Sequence, residues 1–111
     1  MKRGEVWTLR DDRYASKARP VVVVQSDDAE FDSVILCLFT SFDRAGSSTR
    51  VLVEPAEENG LAVTSYVMTD KIVTVKRSEL GGPIGILSDE QMRAVSRALA
   101  QILAITPLEF G

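Results

Sequence analysis

The sequence predicts a mainly β (α+β) fold, a small, partly open β-barrel that carries one α-helix at its C-terminal end. Several short apolar segments alternate with polar connections at close spacing, which is typical of small all-β domains. Only the segment after Ser88 has a helical periodicity. The chain has 111 residues, enough for a single core, so one domain covering residues 1–111 is expected.

Apolar segments in the first half of the chain predict three strands. They cover residues 4–10, the valine run at residues 21–25, and residues 34–39, which lead into Thr40 and Ser41. Polar loops are predicted at residues 11–18, 26–32 and 42–49. Pro20 stands at the entrance of the valine run, where a residue that donates no ladder hydrogen bond is tolerated.

The second half of the chain predicts three further strands. They cover residues 50–54, residues 65–75 as one strand bent or bulged around Asp70, and residues 84–87. The segment at residues 77–83 is expected to turn the chain, and GGPIG at residues 81–85 is interpreted as a turn.

The predicted helix begins after Ser88, which is a good N-cap, and Gln91 stands where a capping box requires it. Pro107 is expected to end the helix. An apolar stripe at helical spacing is formed by Met92, Val95, Leu99, Ile102 and Leu103.

Charge is distributed unevenly along the chain. The net charge is −3, but residues 1–20 hold six Lys or Arg against three acidic residues, which leaves a net −6 on the remainder. A local cationic zone on an acidic protein suits a short anionic ligand better than a long duplex.

The absence of histidine removes the usual general acid–base residue and the commonest zinc ligand. Cys37 is the single cysteine, so no internal disulfide can form, and its apolar surroundings indicate a core residue. No window approaches 18 consecutive apolar residues and no apolar leader is present, so a cytoplasmic protein is expected.

Arg19 and Thr40 are the residues that the sequence singles out for chemistry. Arg19 stays charged at any working pH and its guanidinium matches phosphate geometry, while Pro20 and the stiff valine strand would hold it in place. If the two apolar strands are antiparallel neighbours, the start of one lies beside the end of the other, where Thr40 stands. A fixed cation and a hydroxyl donor at one place predict a site for a phosphodiester.

Four segments, in this order, resemble the MazF/PemK (Kid) toxins of toxin–antitoxin systems over roughly residues 2–105. They are RGEVW, RPVVVVQSD, the apolar strand that ends in TS, and SYVMTDKIVTVKRSELGGPIGILSDEQM. The resemblance implies an SH3-like barrel in a homodimer and cleavage of single-stranded RNA at short sequences, with no metal or other cofactor. It also implies neutralisation by a co-expressed acidic, MazE-like antitoxin.

The same resemblance implies that Arg19 and Thr40 are catalytic and adds Asp70 as a third catalytic residue. Met68 stands where the Kid branch carries an arginine. Without a metal, the ribose 2′-hydroxyl would be the nucleophile, with Arg19 stabilising the charge that develops on the phosphoryl oxygens. The base that deprotonates this hydroxyl is left open among Asp70, Asp11 and Asp12.

Single-stranded RNA also requires cationic side chains and stacking surfaces. The expected RNA-binding residues are Arg13, Tyr14, Lys17, Ser41 and Arg44. Among the aromatic side chains, Tyr14 in the basic loop is preferred for stacking. Trp7 lies on a strand and is expected in the core, and Phe42 and Tyr66 are further candidates.

Two other functions remain open at this point. The first is a toxin of the CcdB branch, which poisons DNA gyrase on the same fold; its tryptophan-bearing C-terminal tail is missing here, since the chain ends in PLEFG. The second is a non-catalytic peptide- or nucleic-acid-binding barrel, which the presence of both Arg19 and Thr40 disfavours.

Overall fold

The computed structural model describes residues 1–11, 15–42 and 49–106, and these contain six β-strands and one α-helix. The strands are β1 (Glu5–Asp11), β2 (Ala15–Val23), β3 (Ser33–Thr40), β4 (Arg50–Val53), β5 (Ser65–Lys76) and β6 (Leu80–Ile86), and the helix is α1 (Asp89–Ile102). A single 3-10 turn, Arg77–Glu79, connects β5 to β6. None of the helical segments in this part of the chain is long and apolar enough to cross a bilayer.

All six strands form one antiparallel sheet in the order β4-β5-β3-β2-β1-β6. The two end strands, β4 and β6, do not pair with each other, so the sheet curls without closing. The predicted mainly β fold, a partly open barrel with a C-terminal helix, is therefore confirmed.

The valine run is buried on both faces of the sheet. Val22 belongs to a core cluster that includes Met92 and Val95 of α1, whereas Val21 and Val23 belong to a second cluster with Leu36 of β3. Successive side chains of a strand point to opposite faces, so a central strand covered on both sides needs apolar residues at every position. This burial explains the uninterrupted valines.

The polar segment at residues 11–18 was expected to be a loop, and this expectation was wrong for its second part. β2 already begins at Ala15, because the pairing with β1 continues past the valines through Leu9 opposite Arg19 and Asp11 opposite Ala15. This end of β2 extends beyond the core, and the side chains from Lys17 to Arg19 are exposed. An exposed strand end has no apolar alternation, so the sequence pattern resembled that of a loop.

The interpretation of GGPIG as a turn was also wrong, since residues 81–85 lie inside β6. Pro83 is tolerated there because β6 is at an edge of the sheet. Gly85 is required for a different reason: a Cβ at this position would overlap the backbone of Asn59, in the turn that packs against β6. Gly85 therefore allows close approach of two backbone segments rather than a reversal of the chain.

The predicted irregularity around Asp70 is confirmed. In the β3–β5 ladder, Leu38 pairs with Met68, but the neighbouring Cys37 pairs with Ile72. One step along β3 thus corresponds to four along β5, so residues 69–71 bulge out of the ladder while β5 continues as a single strand.

The predicted helix start is confirmed by a complete capping box. The Ser88 hydroxyl accepts a hydrogen bond from the Gln91 backbone N–H at 3.1 Å, and the Gln91 side chain accepts one from the Ser88 N–H at 2.9 Å. At the other end the apolar stripe leaves the core, with Ile102 43% and Leu103 52% exposed. The helix ends at Ile102, and Pro107 lies outside the described residues.

Candidate functional site

Arg19 and Thr40 border the same cleft at one end of the sheet. The β2–β3 ladder pairs Val21 with Leu38, and two residues further outward along each strand stand Arg19 and Thr40. Residues two apart on a strand face the same side, so both side chains point into the same space. The cleft has a volume of about 180 Å³ and is lined by Arg19, Pro20, Phe39, Thr40, Ser41, Val63 and Ser65. We call it the Arg19–Thr40 cleft.

The backbone of Arg19 is fixed on both sides, although its side chain is exposed. Its residue pairs with Leu9 of β1, and the next residue, Pro20, has a ring that locks φ. Among the described residues no carboxylate forms an ion pair with Arg19. The guanidinium therefore presents its donors to a ligand from a fixed position on the strand.

The Thr40 hydroxyl is oriented by the chain that follows it. Its Oγ1 accepts a hydrogen bond from the backbone N–H of Phe42 at 3.2 Å. This bond uses a lone pair of the oxygen and leaves the hydroxyl proton available for donation. Thr40 can thus donate to a phosphate oxygen while its side chain is held in place.

The cleft has a polar side and an apolar side. Arg19, Thr40 and Ser41 provide a cation and hydroxyl groups, whereas Pro20 and Val63 provide hydrocarbon. A nucleotide has the same division between its phosphate and its base.

Ser65 also lines the cleft, and sequence reasoning missed it. Its residue is 4% exposed, and its hydroxyl donates to the backbone carbonyl of Val63 at 2.9 Å. The signal lies in the register of β5, which pairs Thr40 with Tyr66 and so brings the preceding Ser65 to the same end of the sheet. The register between β3 and β5 cannot be deduced from the sequence pattern of either strand alone.

Asp70 does not lie in the cleft. It stands in the bulge at residues 69–71, between Met68, which pairs with Leu38, and Ile72, which pairs with Cys37, and it is not among the residues that line the cleft. Its Oδ2 instead lies 3.4 Å from Nη2 of Arg50, in an ion pair whose side chains are 33% and 13% exposed, respectively.

Met68 stands where the Kid branch carries an arginine, but another arginine, Arg50, is its neighbour on the next strand. Arg50 of β4 stands directly opposite Met68 in the β4–β5 ladder, and Met68 in turn pairs with Leu38 of β3. The row of Leu38, Met68 and Arg50 is two residues along from Thr40, Tyr66 and Leu52, so both rows face the same side of the sheet.

The other expected site residues fall into two groups. Lys17 is exposed on β2 two residues before Arg19, and Ser41 lines the cleft. Asp12, Arg13, Tyr14 and Arg44 lie outside the described residues, and the side chain of Asp11 is not described either.

Cys37 has the properties of a core residue rather than of a nucleophile. Burial raises the pKa of its thiol to about 12, and the nearby negative charge of Asp70 acts in the same direction. At neutral pH the group is therefore a thiol, whereas a thiolate is the nucleophilic form. In the described part of the chain, no cluster of His, Cys, Asp and Glu is arranged to hold a metal ion.

Comparisons with known proteins agree on one family. Residues 2–103 match the family described as PemK-like, MazF-like toxin of type II toxin–antitoxin system. The chain is 37% identical over 109 residues to the "Probable endoribonuclease MazF" of Mycolicibacterium smegmatis, and the match covers 95% of this chain and 98% of the relative.

Solved structures agree with this result. An endoribonuclease in complex with its cognate antitoxin from Mycobacterial species superposes with a TM-score of 0.80 at 26% identity, over 96% of this chain and 97% of that one. The Mycobacterium tuberculosis toxin MazF-mt6 superposes with a TM-score of 0.79 at 27% identity, over 92% of this chain and 98% of that one.

Proposed function

Because this chain belongs to the family of PemK-like, MazF-like toxins of type II toxin–antitoxin systems, we propose that it is an endoribonuclease that cleaves single-stranded RNA at short sequences. The observation that supports the assignment most directly is the shared cleft of Arg19 and Thr40. A guanidinium on a fixed backbone and an available hydroxyl proton are the donors that a phosphodiester in a metal-free reaction needs.

In the proposed reaction the ribose 2′-oxygen attacks the adjacent phosphorus as its proton is removed. The bond from phosphorus to the 5′-oxygen of the next nucleotide breaks, and this oxygen takes up a proton. The products are a 2′,3′-cyclic phosphate and a free 5′-hydroxyl. Arg19 donates to the phosphoryl oxygens, where negative charge develops in the transition state, and Thr40 donates to the same phosphate.

Asp70 was expected to be catalytic, and its position suggests a more indirect role. A general base must come within about 3 Å of the proton that it removes, and Asp70 lies outside the residues that line the cleft, in an ion pair with Arg50. We propose that Asp70 orients Arg50, whose guanidinium binds a phosphate further along the RNA. Lys17 and Ser41 would bind the RNA closer to the cleft, together with the expected residues Arg13, Tyr14 and Arg44.

We further propose that the protein acts in the cytoplasm, as a homodimer, and that a cognate acidic antitoxin neutralises it. The "cognate antitoxin" complex of a mycobacterial relative supports this proposal. An acidic, extended segment would compete with RNA for the cationic side chains around Arg19.

The test is an RNA cleavage assay with purified wild-type protein and the variant Arg19→Ala, in the presence and absence of EDTA. We expect EDTA-resistant cleavage that yields 5′-hydroxyl ends, detected by direct labelling with polynucleotide kinase. Arg19→Ala should remain folded, since the side chain is exposed, and should lose about 10²–10³-fold in kcat.

Arg93→Ala is the matched control, because it removes the same charge from an exposed position on α1, on the other face of the sheet. It should leave kcat unchanged. A folded Arg19→Ala protein that cuts RNA at the wild-type rate would refute the role of Arg19. Intact RNA together with impaired gyrase would instead support a CcdB-like toxin.

A further inference from the structure

We propose that Phe42 is a stacking platform for a nucleobase at the rim of the Arg19–Thr40 cleft, next to the phosphate that Arg19 and Thr40 hold. The inference rests on the proposed function and names a residue that binds the base of the substrate. It is based on the exposure of Phe42, its bond to Thr40, and the size and shape of the cleft.

Phe42 exposes an unusually large apolar surface. It is 69% exposed, the highest value among the large apolar residues in the described parts of the chain. A phenyl ring in water is unfavourable when it packs against nothing, and a ligand with an aromatic face would cover it. The ring therefore contributes little to the core and is accessible to a ligand at this end of the sheet.

The ring is attached directly beside the hydroxyl of the cleft. The backbone N–H of Phe42 donates to Thr40 Oγ1 at 3.2 Å. The Cα of Phe42 is bonded to this nitrogen, so the side chain of Phe42 begins close to the Thr40 hydroxyl. A phosphate bound to Thr40 thus has its neighbouring nucleoside within reach of the ring. The same bond fixes the backbone from which the ring projects.

The size of the cleft determines which part of a nucleotide lies at the rim. Its volume of about 180 Å³ is well below the roughly 300–1,000 Å³ of pockets that enclose whole small molecules. The single cation, Arg19, and the hydroxyl groups that line this space favour the phosphate group as its occupant. The base must then lie outside, where Phe42 and the 56% exposed Val63 present apolar surface.

Stacking on Phe42 would raise the affinity for single-stranded RNA without selecting one base over another. Every base has a π face, so stacking on an aromatic side chain tolerates different sequences. We therefore expect Phe42 to strengthen the binding of any base-bearing single strand and to leave the phosphate contacts of Arg19 unchanged.

The first measurement uses strands that the protein cannot cut. A single-stranded deoxyoligonucleotide lacks the 2′-hydroxyl, and an abasic oligomer of equal length presents the phosphates without bases. Phe42→Ala should weaken binding of the base-bearing strand about 5- to 100-fold and leave binding of the abasic strand unchanged. Phe42→Tyr, which keeps a ring, should bind both strands as the wild type does.

Phe31→Ala is the matched control. Phe31 is 62% exposed and precedes β3, whose other end is Thr40, about 23 Å from Ser33. It should bind both strands as the wild type does. Equal losses for Phe42→Ala and Phe31→Ala, or an equal loss of Phe42→Ala on the abasic strand, would overturn the stacking assignment.

RNA cleavage by the same variants separates this inference from the proposed function. We expect Phe42→Ala to raise KM for RNA by a factor similar to its loss in binding, with a smaller change in kcat. If the wild type cuts RNA and Phe42→Ala binds and cuts RNA as well as the wild type does, only the role of Phe42 is overturned. Wild-type protein that neither cuts RNA nor binds the base-bearing strand overturns both.

Discussion

At the scale of residues, Arg19 and Thr40 could be placed together from the sequence, whereas Asp70 could not be placed. Two apolar strands joined by a short polar segment are expected to pair antiparallel, which brings the start of one beside the end of the other. The sequence did predict the irregularity around Asp70, but the ion-pair partner of Asp70, Arg50, comes from an edge strand. The pairing of that edge strand leaves no periodic signal in the sequence.

The role of Asp70 can be tested with Asp70→Asn, which keeps the shape of the side chain and removes its charge. We expect kcat to stay close to the wild-type value, because Asp70 lies outside the cleft, and KM to rise because Arg50 loses its orienting partner. The free energy of unfolding should fall by at most about 1 kcal/mol, as for other partly exposed ion pairs.

The measurement is kcat and KM for RNA cleavage across pH 5 to 9, with urea unfolding in parallel. Thr40→Ser serves as the reference variant, because it keeps the hydroxyl that we propose donates to the phosphate. A loss of about 10²–10⁴-fold in kcat for Asp70→Asn would instead identify Asp70 as the general base.

At the scale of elements, the sequence was most informative where a local interaction defines a boundary. The capping box of Ser88 and Gln91 predicted the start of α1 because both partners lie within one turn. The polar start of β2 and the glycine-rich first part of β6 were missed, since tertiary pairing with β1 determines both. Strand formation there depends on a partner distant in the chain, which local composition does not reveal.

Pro107 was expected to end α1, but the helix already ends at Ile102, because Ala104 adopts an unusual backbone conformation. Ala104 has a φ of 56°, a left-handed conformation that glycine adopts more readily. It stands at the C′ position of a Schellman motif, in which the Ile105 N–H donates to the Ala100 carbonyl at 2.8 Å and the Ala104 N–H donates to the Gln101 carbonyl at 3.2 Å. The motif terminates the helix without a glycine.

Ala104→Gly should therefore stabilise the protein by about 1 kcal/mol, because it removes the steric cost of a left-handed alanine. The free energy of unfolding in urea measures the effect. Ala94→Gly, the same substitution in the interior of α1, is the control and should destabilise by about 1 kcal/mol. Destabilisation by Ala104→Gly would contradict the proposed origin of the helix end.

At the scale of the whole molecule, the two edges of the sheet differ in how they are covered. The turn that precedes β5 packs against β6, where the Ile86 N–H donates to the Glu58 carbonyl at 2.9 Å. At the other edge, β4 and α1 flank an open groove of about 530 Å³, and three large apolar side chains are exposed on these two elements and just after the helix. They are Leu52 at 50%, Ile102 at 43% and Leu103 at 52%.

If the proposed homodimer forms through this edge, charges placed on it should separate the subunits. We expect the double variant Leu52→Glu/Leu103→Glu to be monomeric at micromolar concentration, because each subunit would bring buried, unpaired carboxylates into the interface. Sedimentation velocity or light scattering after size exclusion gives the mass. Since Leu52 and Leu103 are half exposed, the monomer should stay folded.

Phe31→Glu is the control for this experiment, because it places a charge on an equally exposed apolar residue away from β4 and α1. It should leave the mass unchanged. A double variant with the mass of the wild-type dimer would show that the subunits meet elsewhere.

Paired strands supply the principal side chains of the Arg19–Thr40 cleft, since Arg19 stands on β2, Thr40 on β3 and Ser65 on β5. Residues anchored in this way occupy their working positions before a substrate arrives. Such a cleft is active whenever it is uncovered, so inhibition has to come from another molecule that binds over it. RNA cleavage would then follow a titration curve: it would be absent while the inhibiting molecule is in excess and would rise steeply once that molecule is outnumbered by the protein.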